Sequence, residues 1–497
     1  MTTDAATGPL TIPMKELTHA RPANPDPVGH PAGTLSRRDD TTAVETPQAS
    51  TAAVTPGISH AGWWLPASLA AITISGSLAW GYRHAMQLRG LAGGTAYPFA
   101  LAFTGVFIFL VLQLCIAWLD KPVTTSRRQD RYLGRLRVVV NVPVYNEDPA
   151  LLDRVLAALH AQTRAADISV VDDGSHNAAE LRAVRDRWQA RSWPGVFAWK
   201  TQPNRGKRTA QVATLDAFPD ADILVTIDSD TLLHPRALEE GLKPFTDPRV
   251  QSVAGLVLAL NKHKNVLVRT IDLVITTWQL TARSALSVAG SVLVNSGPFA
   301  LYRASVLREC RDAYLGETFC GRQVHFSDDA LLTMYALLRG RTVQQTSAVA
   351  FTTWPEGLSH HCRQQLRWCR GMFIRSFWRF RYLPLRGVAL WFELAAWAQF
   401  ITTTAIFTDL FIIRPAEGHG ISLLTLAVTP LLTYGVTLRT LTICRTDETL
   451  RQKLTAYAMS PLTVIWGWVI FRPLRIWGIL TCLRLGWGTR QKIEVQA

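Results

Sequence analysis

Residues 223–230 read Ile-Leu-Val-Thr-Ile-Asp-Ser-Asp, an apolar and β-branched run that ends in two carboxylates. Such a run predicts a short strand that is buried on both faces. Residues 137–142 and 168–171 have the same character, and residues 148–161 between them have the spacing of a helix. Because strands and helices alternate in this way, the sequence predicts an open α/β sheet.

Carboxylates follow two of the predicted strands at the points where the strands end. Asp172 and Asp173 follow one strand, and Asp228 and Asp230 follow another. Ligands of open α/β sheets bind at the carboxyl ends of the strands, so these side chains are expected at one ligand site. The i, i+2 spacing points the carboxylates of Asp228 and Asp230 in the same direction, and Mg²⁺ sites use few carboxylates beside substrate oxygens. The sequence therefore predicts that Asp228 and Asp230 bind Mg²⁺ or Mn²⁺.

The composition indicates a membrane protein with more than one structural unit. The chain has 497 residues, 48% of them hydrophobic, with 17 Trp and a formal net charge of +15. The mean hydropathy of +0.11 is high for a soluble enzyme. The positive charge is typical of cytoplasmic loops beside anionic lipid, and no basic face of the kind that binds nucleic acid is evident. The seven cysteines show no zinc-binding spacing and are expected to be free thiols.

The N-terminal part of the chain predicts a tail followed by two membrane spans. Residues 1–60 are rich in Pro, Thr, Ala and Gly, so they predict a disordered tail. Residues 61–119 contain two apolar stretches, 63–80 and 97–118, each long enough to cross a bilayer. The basic stretch 121–137 then places its side of the membrane in the cytoplasm.

The C-terminal third predicts further membrane segments. Residues 388–413 and 421–438 are long enough to span, and the apolar stretch 456–483 is interrupted by Pro473 and two arginines. We expect this last stretch to form a helical hairpin bent near Pro473. Glu393 lies inside a predicted span, so it is expected to face a channel or a basic partner.

Several short motifs occur in the order found in one enzyme family. Pro143-Val144-Tyr145-Asn146-Glu147, Val171-Asp172-Asp173-Gly174-Ser175 and Asn204-Arg205-Gly206-Lys207-Arg208 resemble the motifs of family-2 glycosyltransferases. Ser296-Gly297-Pro298, Ser327-Asp328-Asp329, Gln364-Gln365-Leu366-Arg367-Trp368 and Trp487-Gly488-Thr489-Arg490 resemble the hyaluronan synthase and chitin synthase branch of that family. The order of the motifs is far more specific than any one of them.

This resemblance implies a domain organisation. Residues 120–345 would form a cytoplasmic GT-A-type α/β glycosyltransferase domain with a mixed, mainly parallel sheet. Residues 346–387 would form amphipathic interface helices, and residues 388–497 would form transmembrane helices followed by a gating loop. Residues 265–288 have a similar amphipathic pattern and predict a second interface helix.

The resemblance also implies roles for individual residues. Asp329 would be the catalytic base, and the neighbouring carboxylate of Asp328 would raise the pKa of Asp329. Ser327-Asp328-Asp329 also has the composition of a helix N-cap, and both interpretations can hold together. The hyaluronan branch usually carries Gly at the place of Ser327 and Arg at the place of Ala330. The nucleotide-binding residues would be Pro143, Tyr145, Glu147, Asp172, Asp173, Lys207, Arg208 and Asp228, with Lys207 and Arg208 on the diphosphate.

A third group would bind the acceptor. Gln364, Arg367 and Trp368 share one face of a predicted helix. The resemblance implies that Arg367 binds diphosphate and that Trp368 stacks on the acceptor sugar at the mouth of a channel. Trp487 and Arg490 would gate the active site.

The expected function is that of a UDP-sugar-dependent hexosyltransferase in the plasma membrane, multi-pass, with its catalytic domain in the cytoplasm. It would be processive and inverting, and its partners would be UDP-sugar donors, the growing polysaccharide and the lipid bilayer. A hyaluronan synthase that uses UDP-N-acetylglucosamine and UDP-glucuronate is favoured. A chitin or chitin-oligosaccharide synthase that uses UDP-N-acetylglucosamine alone remains open. From other classes, a non-catalytic membrane nucleotide-binding receptor is disfavoured by the intact acidic motifs, and a transporter by the lack of an internal repeat.

Overall fold

The computed structural model describes residues 58–60, Gly76, 97–418 and 432–485. The predictions made for residues 1–57, for the span at 63–80 and for the motif 487–490 therefore lie outside the described residues, as does much of the span at 421–438.

The strands and helices of the described residues follow the predicted alternation. The strands are β1 Ile58–His60, β2 Val138–Val144, β3 Asp167–Asp172, β4 Phe197–Thr201, β5 Ile223–Ile227, β6 Leu232–Leu233, β7 Val250–Ala259, β8 Phe299–Arg303, β9 Thr318–Phe319, β10 Arg322–Gln323, β11 Arg341–Thr352 and β12 Ile443–Arg445. The α-helices are α1 Tyr97–Ala117, α2 Arg127–Arg135, α3 Pro149–His160, α4 Ala178–Gln189, α5 Lys207–Ala217, α6 Ala237–Leu242, α7 Val266–Trp278, α8 Ser284–Val288, α9 Ala304–Glu309, α10 Arg311–Leu315, α11 Asp328–Arg339, α12 Leu358–Tyr382, α13 Val388–Thr408, α14 Arg414–Ala416, α15 Leu450–Ala458, α16 Ser460–Ile465 and α17 Arg472–Leu480. Short 3₁₀ turns at Lys243–Thr246 and Leu438–Thr442, and π turns at Gln279–Arg283, Asp409–Ile413 and Trp466–Phe471, complete the helical segments.

An eight-stranded mixed sheet forms the centre of the α/β domain, in the order β4-β3-β2-β5-β8-β7-β11-β6. Strands β4, β3, β2 and β5 are parallel to one another. Strand β8 is antiparallel to both of its neighbours, and β7 pairs with β11 in parallel. This confirms the predicted mixed and mainly parallel sheet.

The sheet is buried because helices cover both of its faces. All five residues of β5 are buried, as an apolar strand in the middle of a covered sheet requires. On one face, Leu152 of α3 and Trp188 of α4 join the core with the side chains of β2 and β3. On the other face, Val212 of α5 packs in a cluster with Leu332 and Tyr335 of α11.

The predicted elements match the structure closely where the sequence pattern is strong. The strand at 223–227 has the predicted bounds, and the strand at 137–142 begins one residue later and continues to Val144. Asp148 caps the following helix, because its carboxylate accepts hydrogen bonds from the backbone N–H groups of Ala150 and Leu151. The helix predicted at 148–161 is therefore confirmed to within one residue at each end.

Two helices among the described residues are long and apolar enough to cross a membrane, Val388–Ile413 and Ser460–Leu480. The prediction of a hairpin bent near Pro473 is wrong. The backbone stays helical from Ser460 to Leu480 through a π turn at Trp466–Phe471. Pro473 lies inside this continuous helix, two residues after the π turn, whose wider hydrogen-bond pattern accommodates the missing N–H.

Glu393 has the basic partner that its position in a span predicts. Its carboxylate forms an ion pair with Arg379 of α12 at 3.0 Å and accepts a hydrogen bond from Ser376. Arg379 also donates to the carbonyl of Leu293 at 2.8 Å. Both charged side chains are buried, so helices α12 and α13 are joined by an ion pair that is shielded from water.

We expect Glu393→Leu to lower the free energy of unfolding by about 3–5 kcal/mol, because it leaves the Arg379 charge buried without a counter-charge. The double variant Glu393→Leu/Arg379→Met should recover most of this loss, since neither charge remains. Thermal unfolding midpoints of the purified protein in detergent measure both effects. A single variant as stable as the wild type would show that the pair is solvated.

Candidate active site

The residues that follow β2, β3 and β5 meet at one edge of the sheet. These three strands are parallel and adjacent, and the N–H of Asp173 donates to the carbonyl of Val144 at 2.9 Å. Pro143 lies in β2 opposite Val171. The structure therefore brings together the residues after 144, 172 and 227, as the rule for strand ends predicts.

Glu147 connects the loop after β2 to the loop after β5. Its side chain is buried, and one carboxylate oxygen accepts a hydrogen bond from the hydroxyl of Ser229 at 2.5 Å. Tyr145 lies on the same loop, with its ring 6.3 Å from that of His176. Asp172 accepts a hydrogen bond from the N–H of Ser175 at 3.0 Å. The predicted contacts of Tyr145, Glu147 and Asp172 with a nucleotide stay predictions.

Asp173 shapes the loop that leads into α5. Its carboxylate accepts the backbone N–H of Gly206 at 2.7 Å and that of Arg205 at 3.0 Å, and the side chain of Gln202 at 2.8 Å. Gly206 has a φ of 91°, a conformation that favours glycine. The hydrogen bonds to Asp173 thus fix the position of the start of α5, at Lys207.

Lys207 is the centre of a cluster of carboxylates. Its ammonium lies 2.6 Å from Oδ1 of Asp228 and 3.4 Å from Oδ2 of Asp328. Asp329 follows in the first turn of α11, where Oδ2 accepts the N–H of Gly297 at 3.2 Å and Oδ1 accepts the N–H of Ala330 at 2.7 Å. The cluster therefore unites β5, the loop before β8 and the start of α11.

The two neighbouring carboxylates of this cluster titrate differently. Burial, together with the adjacent charge of Asp328, raises the pKa of Asp329 to about 6. Burial also opposes the ionisation of Asp328, but the charges of Lys207 and Arg208 outweigh it, so the pKa of Asp328 is lowered. Burial would lower the pKa of Lys207, but Asp228 and Asp328 raise it. Asp329 is thus a carboxylate whose proton affinity suits general-base chemistry near neutral pH.

Ser327 occupies the N-cap position of α11 without capping it. Its φ is 59° and its side chain makes no cap hydrogen bond. The carboxylates of the first turn still lie at the positive end of the helix dipole. Ser327 is therefore at the N-cap position, as predicted, but its side chain does not form the hydrogen bond of a helix cap.

Arg208 turns away from this cluster into the core. Its guanidinium forms an ion pair with Glu317 at 2.7 Å and donates to the carbonyls of Tyr314 at 2.9 Å and Phe326 at 3.0 Å. Its predicted contact with a diphosphate stays a prediction, and these bonds favour a positioning role. No motif or periodic pattern in the sequence singles out Glu317 as its partner.

Asp228 and Asp230 fit a divalent cation that takes most of its ligands from a substrate. Asp228 already contacts one cation, the ammonium of Lys207, and Asp230 accepts hydrogen bonds from Thr231 at 3.3 Å and Thr352 at 3.4 Å. Among the described residues, no three Asp, Glu, His or Cys side chains form a metal-binding group. Two carboxylates are sufficient where phosphate oxygens and water supply the remaining ligands.

The helix that carries Gln364, Arg367 and Trp368 packs against the start of α11. Trp368 is 40% exposed, so its ring is available to a ligand. Gly371, one turn later, approaches Ser327 so closely that a Cβ at 371 would lie 2.9 Å from the Cβ of Ser327. The helix predicted to bind the acceptor, α12, therefore packs directly against α11, the helix that carries the predicted base.

Gly297 occupies the middle of the charged cluster, which the sequence motif alone did not reveal. A Cβ at this position would lie 3.3 Å from the ammonium of Lys207, 3.6 Å from Oδ2 of Asp228 and 3.7 Å from Oδ2 of Asp329. A side chain here would occupy the space between the three charged groups. That space is where a reacting substrate atom could approach both the base and the cation.

Comparison with known proteins identifies the family. A family model described as glycosyltransferase like family 2 matches residues 136–371. A hyaluronan synthase of Streptococcus pyogenes serotype M3 is 31% identical over 412 residues, which is 80% of this chain and 94% of the relative. The chain belongs to glycosyltransferase family 2. An N-acetylglucosaminyltransferase of Azorhizobium caulinodans is also 31% identical, over 71% of this chain and 87% of the relative.

A solved structure supports the fold of this family-2 chain. The mannosyltransferase PcManGT from Pyrobaculum calidifontis, in complex with GDP-Man and Mn²⁺, has a TM-score of 0.50 and 21% identity, covering 73% of this chain and 96% of that one. The predicted GT-A-type fold is confirmed, and so is the resemblance drawn from the motifs. The protein is an enzyme, a UDP-sugar-dependent glycosyltransferase.

We expect Gly297→Ala to reduce glycosyl transfer by about 10²-fold, because a displacement of about 1 Å at a reacting centre has that effect. Gly134→Ala is the matched control, since a Cβ at 134 meets no atom within 4 Å. The rate of UDP release by membranes that contain each variant measures the effect. Equal rates for the two variants would show that substrate does not enter the space beside Gly297.

Proposed function

We propose that this enzyme is a processive, inverting β-glycosyltransferase that polymerises UDP-sugars and exports the polysaccharide. The observation that carries the proposal is the cluster of Lys207, Asp228 and Asp328, beside which Asp329 has a raised pKa. A base and a cation held close together can deprotonate an acceptor and stabilise a leaving phosphate.

The proposed reaction proceeds by one displacement. The carboxylate of Asp329 accepts the proton of an acceptor hydroxyl, and the oxygen attacks the anomeric carbon of the donor sugar. The bond from that carbon to the diphosphate breaks on the opposite face, and UDP leaves with the electron pair. Lys207 and Arg367 stabilise the negative charge of UDP, and a divalent cation at Asp228 and Asp230 would neutralise part of the same charge.

The remaining predicted residues complete the proposed site. Trp368 would stack on the acceptor sugar, with Gln364 beside it on the same helix face. Trp487 and Arg490 would gate the site. The nucleotide would be bound by the residues at the strand ends, namely Pro143, Tyr145, Glu147, Asp172, Asp173 and Asp228, with Lys207 and Arg208 on the diphosphate side.

We further propose that the protein is a multi-pass protein of the plasma membrane with its catalytic domain in the cytoplasm. The two apolar helices Val388–Ile413 and Ser460–Leu480 support membrane insertion. The basic stretch 121–137 supports the orientation. The organisation into a tail, two spans, a catalytic domain, interface helices and C-terminal spans is part of this proposal.

The favoured product is hyaluronan, made from UDP-N-acetylglucosamine and UDP-glucuronate. The match to a hyaluronan synthase covers 80% of this chain, whereas the match to an N-acetylglucosaminyltransferase covers 71%. The equal identity of 31% keeps a chitin-type product from UDP-N-acetylglucosamine alone as the second candidate.

Donor requirement separates these candidates. Membranes that contain the protein would receive Mg²⁺ or Mn²⁺ with UDP-N-acetylglucosamine alone, UDP-glucuronate alone or both, and released UDP and polymer would be measured. We expect polymer only with both donors. Polymer with UDP-N-acetylglucosamine alone would establish the chitin-type product. No UDP release with any UDP-sugar would refute the polymerase and favour the nucleotide-binding receptor.

We expect Asp329→Asn to lower polymer synthesis by about 10³-fold while UDP-sugar binding survives, because the variant cannot accept the proton. The variant should be as stable as the wild type or more stable at pH 7.5. A carboxyl whose pKa is raised on folding favours the folded state most at low pH and loses that contribution as the pH rises through about 6. Loss of binding or a lowered unfolding midpoint would contradict the role as base.

The same role predicts the pH profile. The wild-type rate should fall as the pH decreases through about 6, since Asp329 must be ionised to act. In Asp328→Asn this decline should move to lower pH, because the charge of Asp328 contributes to the raised pKa of Asp329.

A further inference from the structure

Glu317 lies at the centre of a buried group of charges and has no role of its own in the proposed mechanism. It is 1% exposed and contacts two arginines, Arg208 of α5 at 2.7 Å and Arg375 of α12 at 2.5 Å. The indole N–H of Trp378, also of α12, donates to Oε1 of Glu317 at 3.0 Å. One carboxylate therefore joins helices α5 and α12, which are distant in sequence.

The contacts of Arg208 extend this connection to the proposed base. Arg208 follows Lys207 directly and donates to the carbonyl of Phe326 at 3.0 Å. Phe326 precedes Ser327-Asp328-Asp329, so this hydrogen bond holds the residue next to the N-cap of α11. Through Arg208, Glu317 thus reaches both the lysine at the donor and the helix start that carries the base.

The contacts of Arg375 extend the connection in the other direction. Arg375 and Trp378 lie two to three turns after Arg367 and Trp368 on the same helix, α12. Because a helix moves as a rigid element over this length, a bond at Arg375 constrains the position of Trp368. Glu317 therefore links the proposed acceptor helix to the proposed base.

The buried group of Glu317, Arg208 and Arg375 is not explained well by a contribution to folding stability alone. Two guanidinium groups share one carboxylate, and Nε and Nη1 of Arg375, like Nε of Arg208, have no hydrogen-bond partner within the described part of the chain. Burial opposes the ionisation of Glu317, but the two arginines lower its pKa, so the charge persists. Buried charge groups of this kind are often no more stable than apolar residues of the same volume, and their advantage is a defined geometry.

We propose that Glu317 is a positioning residue that fixes the acceptor helix α12 relative to Lys207 and the start of α11. The inference rests on the proposed polymerase function. The loop before Lys207 is held independently by Asp173, so loss of Glu317 should disturb the acceptor more than the donor.

The test compares two reactions of the full-length protein in membranes, using the donors that the wild type polymerises. One is the transfer of sugar to polymer, and the other is hydrolysis of the donor to free sugar, in which water needs no positioned acceptor. In Glu317→Gln, we expect the ratio of transfer to hydrolysis to fall by at least about 10-fold, the effect of a modest displacement of an acceptor. A merely structural role would lower both rates by the same factor, through the amount of folded protein, and leave the ratio unchanged.

Two further variants separate positioning from folding. Glu317→Gln/Arg375→Met restores the net charge of the buried group, with Arg208 as its remaining charge, and should recover part of the lost unfolding midpoint. The ratio should stay low, because no ion pair joins α12 to Arg208. Asp272→Asn is the matched control, since the carboxylate of Asp272 accepts hydrogen bonds from Ala259 and Trp354, away from α11 and α12. Its ratio should equal that of the wild type.

The outcomes distinguish this inference from the proposed function. A wild-type protein that releases no UDP overturns the polymerase and the inference together. An active wild type with an unchanged ratio in Glu317→Gln overturns the inference alone, as does a double variant that recovers the ratio along with its stability.

Discussion

The contact of Lys207 with Asp228 and Asp328 is the interaction on which the site depends. Without a cation between them, carboxylates from a strand end and a helix start would repel one another at close range. The ammonium at 2.6 Å and 3.4 Å makes the close approach possible. It also makes the two neighbouring aspartates different, because Asp328 contacts Lys207 and ionises readily, whereas Asp329 has the higher pKa. Lys207, together with Arg208, thus leaves Asp329 rather than Asp328 as the carboxylate that can act as a base near neutral pH.

The position of Lys207 follows from the topology of the sheet. Parallel strands β3 and β5 both end at the same edge, so Asp173 and Asp228 come from different segments to the same side. Asp173 fixes the turn at Gly206 by accepting two backbone N–H groups, and α5 then starts with Lys207 facing Asp228. The buried strands supply the rigidity, and the charged groups are carried at their ends.

The sequence predicts the parts of this arrangement that depend on local pattern. The apolar and β-branched run 223–227 defines a strand because no charged residue interrupts it, and the carboxylates after it are evident for the same reason. Glu393 could be assigned either a channel or a basic partner because a charge in an apolar helix requires one of the two, and the structure shows the basic partner. Glu317 and Gly297 could not be assigned in this way, since their roles depend on contacts between segments distant in sequence. The bend expected at Pro473 failed because the preceding π turn absorbs the irregularity within a continuous helix.

Helix α12 is where the catalytic domain and the apolar helices meet. On one side Gly371 packs on Ser327 at the start of α11, and on another Gly478 of α17 approaches Cys369, where an added Cβ would lie 2.7 Å from the Cβ of Cys369. These glycines permit separations that a larger residue would prevent. With Glu393 of α13 paired to Arg379, the same helix is bound to both helices that could cross a membrane. A shift of α12 along its axis would therefore move Trp368 relative to Asp329 and strain its contacts with α13 and α17.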